Sequence, residues 1–322
     1  MKPSVKFTLA VLVATCAAVA VTPVHAQDYP AKPVRLVTGG LGTGADHVSR
    51  HLGQRLPERW GKQVVVDNRP AIIAAEVVAK APPDGYTLLM GQLSSHAIAP
   101  SLYKKLAYDP VADFAALTLA TKAPLVLVAH SSVPAVNLRE FIEYARQRPG
   151  AINYAAQSGA SNGRLTMILF NRSAGVDTVY VPYKNPAASL TAVLAREALV
   201  SFLTVPACLP QIHAGKLKAY AITSGNRFPG APDIPTFVEA GLPGVESTSW
   251  WGVFAPAKTP VSLVGKLNRD IVELLQSPET RTTLIAQGAE PAPGTPEEFT
   301  AFIKSEITKW REVIRAADIA RQ

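Results

Sequence analysis

The sequence predicts an α/β protein of two lobes, each a mostly parallel sheet flanked by helices. Short apolar strands alternate with helical patterns from residue 34 onward, which is typical of β-α-β units. The alternation pauses near residues 120–124 and restarts at residues 125–128. Without its first 26 residues, the 322-residue chain keeps 296, enough to divide into two cores. We expect lobe 1 to comprise residues 27–123 and 248–322, and lobe 2 residues 124–247.

The first 26 residues predict a secretory signal peptide. Lys2 and Lys6 precede an almost wholly apolar stretch over residues 7–21, and small residues at positions 24 and 26 predict cleavage after Ala26. A lipoprotein anchor on Cys16 is the alternative, which Thr15 directly before that cysteine disfavours. The mature chain is therefore predicted to be exported.

Composition excludes several classes of protein. Cys208 is the single cysteine after residue 26, so no intramolecular disulfide is possible. The formal charge of +8 falls to +6 without the two lysines of the leader, and the basic residues are dispersed, which argues against a nucleic-acid partner. No later apolar run reaches the roughly 18 residues that a membrane-spanning helix needs.

In the first lobe, proline keeps residues 28–33 extended before a strand over 34–38. A strand at 63–67, a helix at 72–80, a turn at 82–85 and a strand at 86–91 follow. In the second lobe we predict helices at 137–148, 165–174 and 187–194, and strands at 152–155, 178–181, 199–205 and 218–222. The tail reads as helices at 260–276, 278–287 and 296–317, the last opened by a Thr295–Glu298 capping box. We expect the tail to pack on the first lobe.

A loop with four glycines over residues 39–44 follows the first strand and precedes a helix. Such a loop can hold an anion on backbone N–H groups at a helix N-terminus. A phosphate would indicate a nucleotide enzyme, with Asp67 as the ribose ligand, and a carboxylate would indicate a receptor for a small acid. The glycine spacing is not G-x-G-x-x-G, and an exported protein meets little nicotinamide cofactor, so the dinucleotide interpretation is disfavoured.

Residues 159–163 read G-x-S-x-G, the pattern of a nucleophile elbow. Ser161, Asp177 and His213 follow the order of a hydrolase triad, so an exported α/β serine hydrolase using Ser161 is the alternative function. The segment before Ser161 is polar, however, where a hydrolase has a buried apolar strand. The simpler interpretation is a second polar loop at a helix N-terminus, facing the glycine-rich loop across a cleft.

No metal site is predicted. His47 and His51 are one helical turn apart but lack the partner carboxylate of an H-E-x-x-H site, so a solvated helix face is the simpler expectation. Trp250 and Trp251 occupy successive positions of a strand, where one side chain can pack in the core and the other face a ligand.

Nine short motifs occur in the order found in one family. They are Y-P-x-K-P-V-R at 29–35, N-R-P at 68–70, P-D-G-Y-T-L at 83–88, Y-D-P-V-x-D-F at 108–114, V-P-Y-K at 181–184, A-G-K-L at 214–217, P-T-x-x-E-A-G at 235–241, T-S-W at 248–250 and G-T-P-E-E-F at 294–299. Over nearly the whole mature length the chain resembles the substrate-binding receptors of tripartite tricarboxylate transporters, also called Bug proteins.

The resemblance implies a periplasmic type II "Venus flytrap", a non-enzymatic monomer without cofactor that closes two lobes on a small organic acid. It implies delivery to the large and small membrane subunits of a transporter, or signalling to a sensor kinase. The ligand-binding residues it implies are Leu41, Gly42, Thr43, Gly44, Asp46, Asn68, Arg69, Ser94, His96, Ser158, Gly159, Ala160, Ser161, Asn162, Tyr183 and Thr204. Asp46 is expected to cap the loop or helix, because a free carboxylate would repel an acid.

The chain also departs from the family pattern. The first loop lacks the family's prolines and aromatic residue, and the segment after Pro70 is about three residues shorter and contains no glycine. Arg164 replaces the usual histidine after the second-lobe loop. Fewer close backbone donors remain, and Ile72 or Ile73 is in a position to intrude into the cleft. We therefore expect a less polar ligand than citrate, either monoanionic or aromatic.

Overall fold

The structure, a computed structural model, describes residues 29–159, 161–317 and 319–321. The predicted signal peptide lies outside these residues. The strands are β1 (Val34–Thr38), β2 (Val64–Asn68), β3 (Thr87–Gln92), β4 (Phe114–His130), β5 (Ile152–Gln157), β6 (Thr178–Tyr183), β7 (Val200–Thr204), β8 (Leu217–Ile222), β9 (Thr248–Pro256) and β10 (Glu290–Pro291). The helices are α1 (Gly44–Trp60), α2 (Ala71–Ala79), α3 (Ala99–Leu102), α4 (Leu138–Arg146), α5 (Asn162–Ala174), α6 (Pro186–Leu194), α7 (Val205–His213), α8 (Val261–Gln276), α9 (Pro278–Ala286) and α10 (Pro296–Ala316). A single π-helical turn, Ser94–Ile98, links β3 to α3.

The strands form a mixed α/β sheet in the order β2-β1-β3-β9-β4-β7-β5-β6, with β8 and β10 also paired to β4. Each half contains three parallel strands, β2-β1-β3 in the first and β7-β5-β6 in the second. The pairs made by β9 and β4 between them are antiparallel. The predicted alternation of strands and helices is therefore present, and antiparallel strands fill the middle of the sheet.

Strand β4 is shared by both halves. Residues up to Pro124 pair with β9, whereas residues from Leu125 onward pair with β7 and β8. The partner strand β9 begins at Thr248, directly opposite Pro124. The chain therefore passes between the two halves at Pro124–Leu125 and again just before Thr248. The sequence predicted a strand only at residues 125–128, because small apolar residues buried on both faces of β4 give no period-2 pattern.

Apolar clusters cover both faces of each half. In the first half, one cluster includes Trp310 and Phe299 of α10, and the other includes Leu267 and Ile271 of α8. Both tail helices therefore pack beside β4, on the first half. The predicted capping box at the start of α10 is present: Thr295 Oγ1 accepts from the Glu298 N–H, and Glu298 Oε2 accepts from the Thr295 N–H. Within the described ranges no helix is both long and apolar enough to cross a membrane.

Candidate ligand-binding cleft

Two adjoining cavities, of about 170 and 190 Å³, lie at the carboxyl ends of the parallel strands. This is where α/β sheets bind their ligands. The first is lined by Leu125, Ala156, Gln157, Ser161, Asn162, Gly163, Pro186, Ser189, Phe202, Leu203, Thr204 and Ser249. The second is lined by Gln92, Leu93, Ser94, Ile98, Gln157, Ser161, Asn162, Ser249, Trp250 and Trp251. Because Gln157, Ser161, Asn162 and Ser249 line both, the two cavities form one cleft.

Three helices begin at the first cavity. Ser161 is the N-cap of α5, Pro186 is the first residue of α6, and Thr204 is the N-cap of α7. A helix N-terminus carries the positive end of a helix dipole and N–H groups without an intrahelical partner. Here Pro186 has no N–H, and the Ser161 and Asn185 side chains already accept from the N–H groups of Arg164 and Ala188. Among the described residues no charged side chain lines either cavity. An anion bound here would be held by N–H and O–H donors alone.

The glycine-rich loop is held closed by Asp46. One carboxylate oxygen of this buried residue accepts from the Gly42 N–H at 2.9 Å, and the other accepts from Asn68 Nδ2 at 2.8 Å and from Arg50 Nε at 2.9 Å. Burial alone would raise the pKa of Asp46, but these hydrogen bonds outweigh it and hold that pKa below its ordinary value. Asp46 therefore clamps the loop, as expected for a cap, and is unavailable to a ligand.

The other predicted residues of this loop do not line the cavities. Leu41 is 73% exposed, and Gly42 adopts the left-handed conformation with φ +72°. Thr43 caps α1 by accepting from the Asp46 N–H. Asn68 is occupied by Asp46 and the Gly39 carbonyl, and Arg69 pairs with Asp67.

Trp251 connects this loop to the cleft. A Cβ added at Gly44 would lie 2.5 Å from Cη2 and 3.0 Å from Cε2 of Trp251. The indole ring therefore lies directly on Gly44, the first residue of α1, and also lines the second cavity. Its neighbour Trp250 is fully buried and donates Nε1–H to Glu306 Oε2 at 3.1 Å. Trp250 is therefore a core residue, as one of the two indoles is expected to be, but both indoles line the second cavity.

Two further expectations for the first lobe differ from the structure. His96 is fully buried, with its ring stacked on Phe254 at 4.3 Å between centroids, and burial lowers its pKa to about 3. Its Nδ1 lies 2.9 Å from Ser95 Oγ, so its side chain belongs to the core. Ile72 packs against the first-half core and Ile73 is exposed. Neither isoleucine lines the cleft.

Only some of the predicted residues of the second-lobe loop line the cleft. Ser161 and Asn162 line both cavities, but Ser158 and Gly159 do not. The Tyr183 hydroxyl donates to Glu197 Oε2 at 3.2 Å, away from the cavities. Ala160 lies outside the described residues. Of the predicted residues, the structure therefore brings Ser94, Ser161, Asn162 and Thr204 to the cleft.

Ser161 does not form a nucleophile elbow. Its backbone is extended with φ −69°, its Oγ donates to the Gln157 carbonyl at 2.8 Å, and the same oxygen accepts from the Arg164 N–H. An elbow serine instead occupies a strained turn with its Oγ exposed. Neither Asp177 nor His213 hydrogen-bonds to Ser161, so the proposed triad is wrong.

The dinucleotide interpretation also finds no support in the structure, and one expectation for a histidine is wrong. Asp67 is bound by Arg35 Nε at 2.9 Å and by Arg69, which leaves no free carboxylate for a ribose. His51, expected on a solvated face, is instead buried, and its Nε2 lies 3.0 Å from Thr280 Oγ1 on α9. In the part of the chain that the structure describes, no group of three His, Cys, Asp or Glu side chains is arranged to bind a metal.

Several cleft residues were not predicted from the sequence, among them Gln92, Gln157, Ser189 and Ser249. Gln92 and Gln157 end β3 and β5, so the rule that ligands bind at the carboxyl ends of strands could have found both. Ser189 and Ser249 carry no such signal. A larger cavity of about 560 Å³ lies apart from the cleft, between α3 and α10, and is lined by arginines 311, 315 and 321.

Known proteins resemble this chain over nearly its whole length. Residues 48–319 match the family described as "Tripartite tricarboxylate transporter family receptor". BugT of Bordetella pertussis is 33% identical over 91% of each chain. The structure of R. palustris Rpa4515 with adipate is 35% identical, with TM-score 0.79 over 92% of this chain and all of that one. MatC of Rhodopseudomonas palustris, with bound malate, is 32% identical, with TM-score 0.73 over 89% of this chain and all of the other.

Proposed function

This chain belongs to the tripartite tricarboxylate transporter receptor family, and from that premise we propose that it binds a small carboxylate in the cleft and delivers it to the membrane subunits of a tripartite transporter. The family consists of solute receptors rather than enzymes. The proposal rests mainly on the three helix N-termini at one cavity that, within the described residues, no charged side chain lines. Such an arrangement suits an anion. The two related structures contain adipate and malate, which are both small carboxylates.

The ligand is less polar than citrate. Leu125, Ala156, Phe202 and Leu203 supply much of the first cavity. Each additional carboxylate of a ligand would lose its hydration without gaining a cation in return, which is costly in a buried site. A monoanionic or aromatic acid, or a flexible dicarboxylate whose second charge reaches solvent, avoids that cost.

Binding proceeds by closure of the two lobes. We assign residues 27–123 and 248–322 to lobe 1 and residues 124–247 to lobe 2, because β4 changes its pairing partners at Pro124–Leu125 and β9 starts at Thr248. A ligand that touches both lobes favours the closed state by the difference between its affinities for the two states. The signal peptide directs the receptor to the periplasm, where such delivery takes place.

Native mass spectrometry of the mature protein, purified from its own host before and after denaturation, tests the proposal. We expect release of one small acid. Calorimetric titration with adipate, malate, citrate and benzoate then ranks the ligands, and citrate should bind weakest. No binding of any carboxylate would refute the receptor function, and tightest binding of citrate would refute the ligand class.

A matched pair of variants locates the site. Thr204→Val removes a hydroxyl that lines the cleft, whereas Thr282→Val removes a hydroxyl on the surface of α9 that donates to the Pro278 carbonyl. We expect about a tenfold loss of affinity for Thr204→Val, the value of one hydrogen bond to a charged group. Thr282→Val should bind as the unchanged protein does.

A further inference from the structure

Asn162 joins the cleft to the point where β9 begins. It is the first residue of α5 and lines both cavities. Its Nδ2 donates to Ser249 Oγ at 2.9 Å, and Ser249 is the second residue of β9. A single amide side chain therefore lines the ligand space and contacts the start of β9, directly after the chain has passed between the two halves of the sheet.

The carbonyl side of the same amide is bound by two buried hydroxyls. Asn162 Oδ1 lies 2.9 Å from Ser247 Oγ and 3.2 Å from Thr166 Oγ1, and these two hydroxyl oxygens are 2.7 Å apart. The hydroxyls of Thr166 and Ser247 have one hydrogen each, so only two of these three close contacts can be hydrogen bonds at one time. The shortest distances give a directed chain in which Thr166 donates to Ser247, Ser247 to Asn162, and Asn162 to Ser249. This chain fixes the orientation of the amide.

The chain continues to the other crossing of the backbone. Thr223 Oγ1 donates to the Ser247 carbonyl and accepts from the Leu125 N–H at 2.9 Å. Backbone bonds run from Thr223 N–H to the Leu125 carbonyl at 2.9 Å and from Ser247 N–H to the Thr223 carbonyl at 3.2 Å. Since β4 exchanges its partners at Leu125, Asn162 is connected to both segments that cross between the halves.

Two hydrogens of this network remain available to a ligand. An amide nitrogen carries two hydrogens, and among the described residues only Ser249 takes one from Asn162. The Ser249 hydroxyl accepts from Asn162, so its own hydrogen is free to point into the cleft that Ser249 lines. Both donors suit a carboxylate oxygen. Thr166, Thr223 and Ser247 are at most 1% exposed, so water cannot replace the bonds behind them.

We propose that Asn162 is the positioning residue through which a bound carboxylate sets the geometry of the hinge, which we define as the two backbone crossings at Pro124–Leu125 and just before Thr248. The ligand receives the second N–H of Asn162 and the O–H of Ser249, and the chain through Ser247 and Thr223 passes the resulting constraint to Leu125. This inference rests on the proposed receptor function and adds to it the residue that links binding to closure.

The hinge half of the proposal is tested without ligand. Thr166→Val removes a buried hydroxyl of the chain with little change in volume, and it alters no cleft-lining residue. Asn162→Ala removes the amide itself. In both variants, amide hydrogen exchange at Leu125, Thr223 and Ser247 should accelerate by tenfold or more while the core of α10 keeps its protection. Unchanged exchange at these three amides overturns the inference.

The ligand half is tested by calorimetry with adipate and by small-angle scattering for closure. Asn162→Ala should lose about tenfold or more in affinity and most of the compaction that adipate produces. Thr166→Val should lose several-fold in affinity although it alters no residue that lines the cleft. Ser94→Ala, a cleft variant outside the chain, should weaken binding but keep full compaction.

The outcomes separate the two proposals. If the unchanged protein binds no carboxylate, the receptor function fails together with the ligand half. If it binds adipate while Asn162→Ala and Thr166→Val bind and compact as it does, the receptor function stands and the role of Asn162 is refuted.

Discussion

Replacing Gly44 by alanine probes the contact between the first residue of α1 and Trp251, which lines the cleft. Gly44 begins α1, and the new Cβ would lie 2.5 Å from Cη2 of Trp251. Carbon atoms in contact normally stand about 3.5–4.0 Å apart, so the indole must retreat by about 1 Å or more. Because Trp251 lines the second cavity, that movement also changes the shape of the ligand space.

Two opposed effects set the change in the free energy of unfolding that we expect for Gly44→Ala. Forcing an extra methyl group into a packed site costs about 1–3 kcal/mol. Alanine in place of glycine gains less than about 1 kcal/mol at a helix terminus, where the propensity difference is incompletely expressed. We therefore expect Gly44→Ala to lower the free energy of unfolding by about 1–2 kcal/mol, and to lower the melting temperature by about 2–6 °C. Its affinity for adipate should fall as well.

A double-mutant cycle with Trp251→Leu isolates the contact, and Gly265→Ala serves as the control. Gly265 lies inside α8, where a Cβ would meet Arg269 Nη1 at an ordinary 3.7 Å, so that variant should gain about 0.5–1 kcal/mol. In the Trp251→Leu background the shorter side chain leaves room for the new methyl group, so Gly44→Ala should cost nothing there. Denaturant unfolding measures the unchanged protein and all the variants. If Gly44→Ala stabilises as Gly265→Ala does, or if its cost persists in the Trp251→Leu background, the packing of Trp251 on α1 is wrong.

Three further substitutions probe the first half of the molecule. Burial lowers the pKa of His96 to about 3 from an ordinary 6.5, so the unfolded chain binds more protons and stability falls as pH drops from about 6.5 toward 3. His96→Phe should flatten this pH dependence in thermal unfolding measured at successive pH values, and an unchanged pH profile would contradict the burial of His96. Asp46→Asn weakens the charge-assisted hydrogen bonds that hold the glycine-rich loop and should lower the free energy of unfolding, measured with denaturant, by about 1–3 kcal/mol. A loss below about 0.5 kcal/mol would contradict the role of Asp46 in holding the loop. Glu306→Gln weakens the acceptor shared by the indole N–H groups of Trp250 and Trp310. It should also cost about 1–3 kcal/mol of unfolding free energy and shift the tryptophan emission. Identical emission and stability would refute the role of Glu306 as the shared acceptor.

Much of the fold could be predicted because its signals are local. Proline at the start of α10 and the Thr295–Glu298 pair at its first turn specify a helix start without any distant partner. The alternation of strand and helix likewise predicts parallel neighbours from chain order alone. The first eleven residues of β4 could not be predicted in this way. They are strand because β9, more than a hundred residues later, supplies their hydrogen-bond partners.

The site was less predictable because most side chains of its polar loops serve the fold. Asp46 lies in the first turn of α1, and Asn68 and Arg69 lie at the end of β2, where a ligand site is expected, yet each is occupied by another residue. His96 was also predicted to bind the ligand, but Phe114 and Phe254 from distant strands pack against its ring and make it part of the core. Whether a polar side chain is free for a ligand therefore depends on which partner it finds in the folded chain, near in sequence for Arg69 and remote for His96.

The absence of charge among the described residues that line the cleft has a functional consequence. A buried lysine or arginine would hold any carboxylate tightly and would carry a large desolvation cost of its own when the cleft is empty. Helix N-termini and hydroxyls provide weaker donors that folding already holds in place. Here they come from α5, α6 and α7 in one half and from the Ser249 hydroxyl of β9 in the other. Affinity then depends on both halves contributing at once. This suits the delivery proposed above, because separating the halves removes part of the donor set and lowers affinity in one step.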